Sequence, residues 1–409
     1  MRLHLTLFFS LAFGLFIFNS CQMDKSKSKS NDLSLDIPNL LDRSEKIQLG
    51  KEWDFVQNYY SDQKIALGKN DKDQQARLNL AQLFIKEARV TGEHGHYYPG
   101  ALKLLDEILV DETISEDLRF QTLTNKAGVQ LSLHEFKTAL ATAQKALKIN
   151  ANNAQINGVM VDCLVEMGRY DEAVKFADKM IFIKPDLRSY ARISYLREIH
   201  GDVEGAKKAL ELAIKSGYPG YEETAWAMQV LGEHYKMYGE LDKAKKVFEQ
   251  ILSVREDYPF AIASIGDIYL EKGELLLAEL KLKEAFDIIP EVGFAISLAE
   301  VHKLKKDQEA FDARWNEILI MLQEDVDAGH NMNLEYADLY MNLKEDYDEA
   351  LKFALIEYEK RPKNIDVNRL VSQIYLLKGD TSLAKNHLES AKITKSKHPD
   401  LLEIQKVLG

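Results

Sequence analysis

Residues 262–290 read IASIGDIYLEKGELLLAELKLKEAFDIIP, and this stretch decides the fold. It reads as two helices joined at Lys272-Gly273-Glu274 and closed by Pro290. Gly266, Ala278 and Ala285 are small, whereas Ile265, Tyr269, Leu275 and Leu282 are large. Small residues let two helix axes approach where they cross, and large residues fill the space on either side. A hairpin of this kind cannot bury its apolar face alone. It needs a copy of itself on each side.

The copies are present. HEFKTA ends at Ala139, GRYDEA at Ala173, GDVEGA at Ala206 and GELDKA at Ala244; after Ala278, EDYDEA ends at Ala350 and GDTSLA at Ala384. The intervals between these alanines are 34, 33, 38, 34, 72 and 34 residues. The long interval spans one degenerate copy around Phe311 and Trp315, and the interval of 38 contains the lengthened turn Ser216–Tyr221. Leu231-Gly232, Tyr235, Ala244 and Phe248 in one unit, and Gly266, Tyr269, Ala278, Ala285 and Pro290 in the next, carry the pattern most fully.

With those residues at that period, the chain resembles the tetratricopeptide repeat family from about Leu118 to Lys397, with a looser copy before it. The resemblance implies an all-α fold, a right-handed superhelical solenoid of helical hairpins. The expected domain runs over residues 39–409, with capping helices at both ends; Asn39–Leu67 and Asp400–Leu408 have the apolar spacing for those caps. The family is defined by packing residues, so the resemblance speaks to fold far more than to chemistry.

The N-terminus reads differently. Arg2 and His4 precede an apolar run, Leu5–Phe18, that is too short to span a bilayer and reads as a signal peptide over residues 1–20. The following Asn19-Ser20-Cys21 resembles the lipobox of bacterial lipoproteins, although Phe18 and Asn19 depart from its usual residues. That resemblance implies lipidation at Cys21, with acyl chains of the palmitate kind anchoring the mature chain. Residues 21–38 are rich in Lys, Ser, Asp and Asn and read as a flexible tether. The expected location is the bacterial cell envelope, at the outer membrane, with its periplasmic or surface side left open.

Composition narrows the partners. The chain has 53 Lys and Arg against 65 Asp and Glu, a net charge of −12, which argues against nucleic acid and against an anionic membrane surface. Besides Cys21 there is one cysteine, Cys163, flanked by apolar residues and read as a small buried side chain. The most unusual stretch is Gly92–Gly100, GEHGHYYPG, read as a long loop, either simply packed or touching a partner, with the next helix beginning near Pro99. Its His94 and His96, with Glu93, are weak metal candidates. A lone His-x-His without a second histidine cluster gives no metal assignment.

No nucleophile elbow, P-loop or dinucleotide-binding glycine set occurs, so neither an enzyme nor a cofactor is expected. In the family's geometry the first helix of each pair lines the concave side. The inward positions would then be Asp162, Glu166, Tyr195, Glu198, Trp226, Glu233, Phe260, Asp267, Glu271 and Glu300. This acidic row with interleaved aromatics suits a basic, partly extended segment of another protein. The Lys and Asn wall of the family's carboxylate-clamp members is not matched. The expected function is a lipid-anchored, non-catalytic adaptor in the envelope. The alternatives are a glycan-binding outer-membrane lipoprotein that partners a transporter, or a metal-binding protein using the 92–100 stretch.

Overall fold

Short polar side chains start many of the helices. Asp73, Ser115, Asn153, Asp186, Asp202, Asp307, Asp346, Asn364 and Asp380 each accept a hydrogen bond from a first-turn backbone N–H, satisfying donors that the helix leaves open. The computed structural model describes residues 37–409. The expected signal peptide, Cys21 and nearly all of the tether lie outside the described residues.

A cap, α1 (Gly50–Lys69), precedes nine helical hairpins among the described residues. They are α2 (Gln74–Thr91) with α3 (His94–Val110), α4 (Glu116–Ser132) with α5 (Phe136–Ile149), and α6 (Ala154–Glu166) with α7 (Tyr170–Ile183). Then come α8 (Leu187–Ile199) with α9 (Val203–Ser216), α10 (Glu222–Met237) with α11 (Leu241–Leu252), and α12 (Pro259–Glu271) with α13 (Leu275–Ile288). The last are α14 (Val292–Lys305) with α15 (Gln308–Asp327), α16 (Asn333–Leu339) with α17 (Tyr347–Lys360), and α18 (Ile365–Leu377) with α19 (Thr381–Ala391). A final helix, α20 (Pro399–Leu408), packs its Leu401, Ile404 and Leu408 against α19. The described residues contain no strand, and no helix among them is long and apolar enough to cross a membrane.

The small residues sit where the spacing places them. Ala139, Ala173, Ala206, Ala244, Ala278, Ala350 and Ala384 have no exposed surface. A methyl group added at Gly232 would lie 2.3 Å from the ring of Phe248, and one at Gly266 would lie 2.8 Å from Leu282. The degenerate copy is a full hairpin, α14 with α15, and Phe311 and Trp315 pack in its core.

One expectation is overturned. Gly92–Gly100 is not a loop: α3 begins at His94 and carries Pro99 within it, leaving Gly92-Glu93 as the whole connection. Gly92 takes the left-handed conformation that ends α2, and His94, Tyr97 and Tyr98 turn inward and are buried. Pro99 marks an early turn of α3, not its start.

The hairpins wind until successive superhelical turns touch. The backbone N–H of Asn331, in the loop before α16, donates to the carbonyl of Leu133 in the α4–α5 turn at 3.1 Å. Arg361 and Asn364, before α18, bond Glu166 at the end of α6, at sequence separations of 195 and 198. The Tyr170 hydroxyl accepts from the Ile365 N–H at 2.8 Å. The α8–α9 turn lies against Lys395 at Gly201. One superhelical turn therefore takes about six hairpins, and the concave side becomes a partly enclosed space. The N-terminal segment reaches across as well. Ile47 joins the apolar cluster of Tyr258 and Phe260, and Glu52 faces Arg255 at 3.8 Å.

Candidate functional site

The winding encloses a chamber of about 340 Å³ on the inner side of α8, α10, α12 and α14. Seven of the ten inward positions read from sequence line it: Glu166, Tyr195, Glu198, Glu233, Phe260, Asp267 and Glu271. Three do not. The Asp162 carboxylate takes the Arg192 guanidinium at 2.7 Å, one turn before Glu166, and neither side chain of the pair lines the chamber. Trp226, one turn before Val230 on α10, lies outside the lining and packs against Leu187, Ala213 and Ala227. Glu300 lies outside the lining as well.

Each charged group on the wall is held by neighbours. Lys236 sits between Glu233 at 2.8 Å and Asp267 at 3.0 Å. Burial alone would lower its pKa; the two carboxylates outweigh that and raise it. Arg361 bonds Glu357 at 2.5 Å and also Glu166, while its guanidinium lies 4.4 Å from the centre of the Phe136 ring. Burial raises the pKa of Glu166 against the pull of Arg361. Glu198 accepts from the Tyr238 hydroxyl at 2.8 Å, and burial pushes its carboxyl up to about 7. Gln229 donates to the Ser264 hydroxyl at 2.6 Å and to Glu233 at 3.1 Å, and Ser264 in turn donates to Glu233.

Aromatic rings supply the apolar part of the lining. Phe260 and Phe294 meet edge to face with centroids 5.8 Å apart. Tyr195 keeps 37% of its surface exposed, toward the chamber interior, while surrounding protein and the carboxylates of Asp366, Glu166 and Glu198 push its phenol well above the usual range.

Residues that the repeat pattern does not reveal complete the site. His134, Arg361, Asn364 and His398 line the chamber from the turns and loops that close the winding. Near this closure, His94 lies between Tyr98 and His330, with ring centroids 4.8 and 5.8 Å away. His330 Nδ1 lies 3.6 Å from the buried Asp325 carboxylate. Burial lowers His330 to about 4 and raises Asp325 to about 8. The two metal candidates diverge: His94 is wholly buried, whereas His96 bonds the Asn39 carbonyl at 2.7 Å. Residues two apart on a helix cannot face one ion, and among the described residues no group of three or more His, Cys, Asp or Glu is arranged to hold a metal. Cys163 is fully buried, and desolvation raises its thiol pKa.

Residues 130–197 match the tetratricopeptide repeat family. No curated protein matches the chain. The chain is similar in structure to the APC/C hetero-tetramer Cut9–Hcn1, with a TM-score of 0.50 and 16% identity, over 89% of this chain and 68% of that one. A tetratricopeptide repeat protein from Parabacteroides merdae aligns at TM-score 0.46 and 18% identity, over 63% and 98% of the two chains. The human IFIT1 dimer with PPP-AAAA aligns at 0.47 and 12%, over 82% and 87%. At 16% identity the first of these shows a likeness of fold alone. Together with the matched repeat it defines the class, a tetratricopeptide-type all-α solenoid, a fold that typically serves as a non-catalytic scaffold for protein interactions.

Proposed function

We propose that the chain is a non-catalytic, lipid-anchored scaffold of the bacterial cell envelope that binds another protein through its inner wall. One observation carries this reading: a single wound array gathers carboxylates and aromatic rings from four successive hairpins into one chamber. Aromatic surface gives contact area, and the surplus of carboxylates favours a basic, partly extended segment of the partner. The lipidated Cys21 and its tether would hold the solenoid near its membrane.

Crosslinking in the native host, followed by identification of the captured protein, tests the scaffold. Reversing Glu233 and Asp267 together would be a poor control, because both hold Lys236 and three lysines would then crowd one site. Glu271→Lys with Glu198→Gln reduces the wall's negative charge without leaving a lysine between two others. Reduced capture in low salt supports the wall as the docking surface, and undiminished capture refutes it. Mass spectrometry of the mature N-terminus tests the anchor independently.

A further inference from the structure

We propose that the chamber binds an alkyl ammonium or alkyl guanidinium group, a donor-rich organic cation on an apolar stem. The inference rests on the inner wall being the scaffold's binding surface, and it names what that surface recognises.

The first argument is a deficit of donors. Ten carboxyl side chains line the chamber against three lysines and arginines. Those three are engaged: Lys236 and Arg361 by two carboxylates each, and Arg369 by Asp366 at 2.8 Å. A guanidinium or ammonium brings donors and no acceptors, which suits a wall with this surplus of carboxyl groups.

The second argument is shape. Tyr195, partly exposed, lines the chamber amid Glu166, Glu198 and Asp366. An aromatic face bordered by carboxylates attracts an organic cation from both directions. Phe260, Phe294 and Met332 provide apolar wall for a stem. The volume is that of a small-ligand site. The contacts from Leu133–Asn331 to Tyr170–Ile365 close one side of the space, so a partner's extended segment would present one cationic side group to the chamber while its own N–H and C=O groups stay outside.

The source of the group can be a free small molecule or a partner's Arg or Lys side chain, and the test separates them. The purified protein is titrated with agmatine by calorimetry, with 1,4-butanediol as the uncharged control, and then with a short arginine-containing peptide and an alanine-substituted copy. Saturable 1:1 binding of agmatine, absent for the diol, is expected. A bound cation stabilises the ionised form of Glu198, so binding should release protons and tighten about tenfold from pH 6 to pH 8. Tyr195→Leu and Glu198→Gln should each weaken it at least tenfold with unchanged circular dichroism, and Glu300→Gln, outside the chamber, should leave it intact. Competition by the arginine peptide alone assigns the group to a partner side chain; its absence assigns it to a free ligand. No saturation by agmatine or the arginine peptide, equal binding of the diol, or indifference to both wall variants overturns the site. Capture of a protein partner that is insensitive to agmatine and to Tyr195→Leu would overturn the cation site and leave the scaffold standing.

Discussion

Gly168 and Gly201 sit where successive superhelical turns approach most closely, and substituting them separates local from long-range effects. Both turns take a left-handed conformation, with φ of 69° and 78°. So do Gly273 and Gly379, at 75° and 84°. Adding a Cβ at any of the four incurs the left-handed penalty of about 1–2 kcal/mol. At Gly273 and Gly379 nothing lies within 4 Å of the new atom, so the cost should end there. At Gly168 the Cβ would sit 2.5 Å from the Lys363 carbonyl oxygen, and at Gly201 2.5 Å from that of Lys395. Backbone atoms cannot rotate away, so overpacking adds about 1–3 kcal/mol unless the turns separate. Separation would forfeit the Tyr170–Ile365 bond and the Arg361–Glu166 pair. Gly168→Ala and Gly201→Ala should thus cost about 2–5 kcal/mol in urea unfolding, against about 1–2 for Gly273→Ala and Gly379→Ala. Small-angle scattering should show expansion in the first pair alone. Four equal losses with unchanged scattering would refute the claim that contact between superhelical turns helps hold the molecule together.

Ala278→Trp should overpack the α12–α13 crossing, where Ala278 has no exposed surface, and cost about 1–3 kcal/mol or more by thermal melt; the exposed Lys283→Trp should stay within about 0.5 kcal/mol. Lys306 is exposed at φ 60°, so Lys306→Gly should stabilise by about 1 kcal/mol in the same assay. Arg361→Met leaves Glu357 and Glu166 facing each other without their cation and should cost about 3–5 kcal/mol in urea unfolding. Asp325, facing His330, Glu324 and Glu335, has its pKa raised by burial to about 8, so its contribution is full below its unfolded value near 3.9 and is lost as pH rises through 8. His330 works the other way: held near 4, its contribution is full above its unfolded value near 6.5 and is lost as pH falls. The two oppose each other between pH 4 and 6.5, which leaves pH 6.5 to 8.5 as the clear window. Across it, Asp325→Asn should gain melting temperature relative to the parent; a constant difference would refute the assignment.

The hairpins were legible because their determinants are local. Ala278 meets a helix only a few residues away in sequence, and the same spacing recurs unit after unit. The inner wall was legible wherever one face of a first helix settles the matter, as for Glu198, Glu233 and Asp267. Trp226 shares that face of α10 but lies a turn before the lining and packs against Leu187, Ala213 and Ala227. GEHGHYYPG read as a loop because two glycines and a proline interrupt helical periodicity. In the structure, burial of His94, Tyr97 and Tyr98 against neighbouring helices overrides that weak local preference. The closure of the superhelix had no signal at the repeat period. Its contacts pair His134 with Asn331 and Glu166 with Arg361 across nearly two hundred residues, and such pairs follow from the accumulated angle of six hairpins rather than from any one of them. Small packing choices in each crossing therefore decide whether the concave side is an open groove or a chamber. Two solenoids with the same repeat signature can present different binding geometries for that reason.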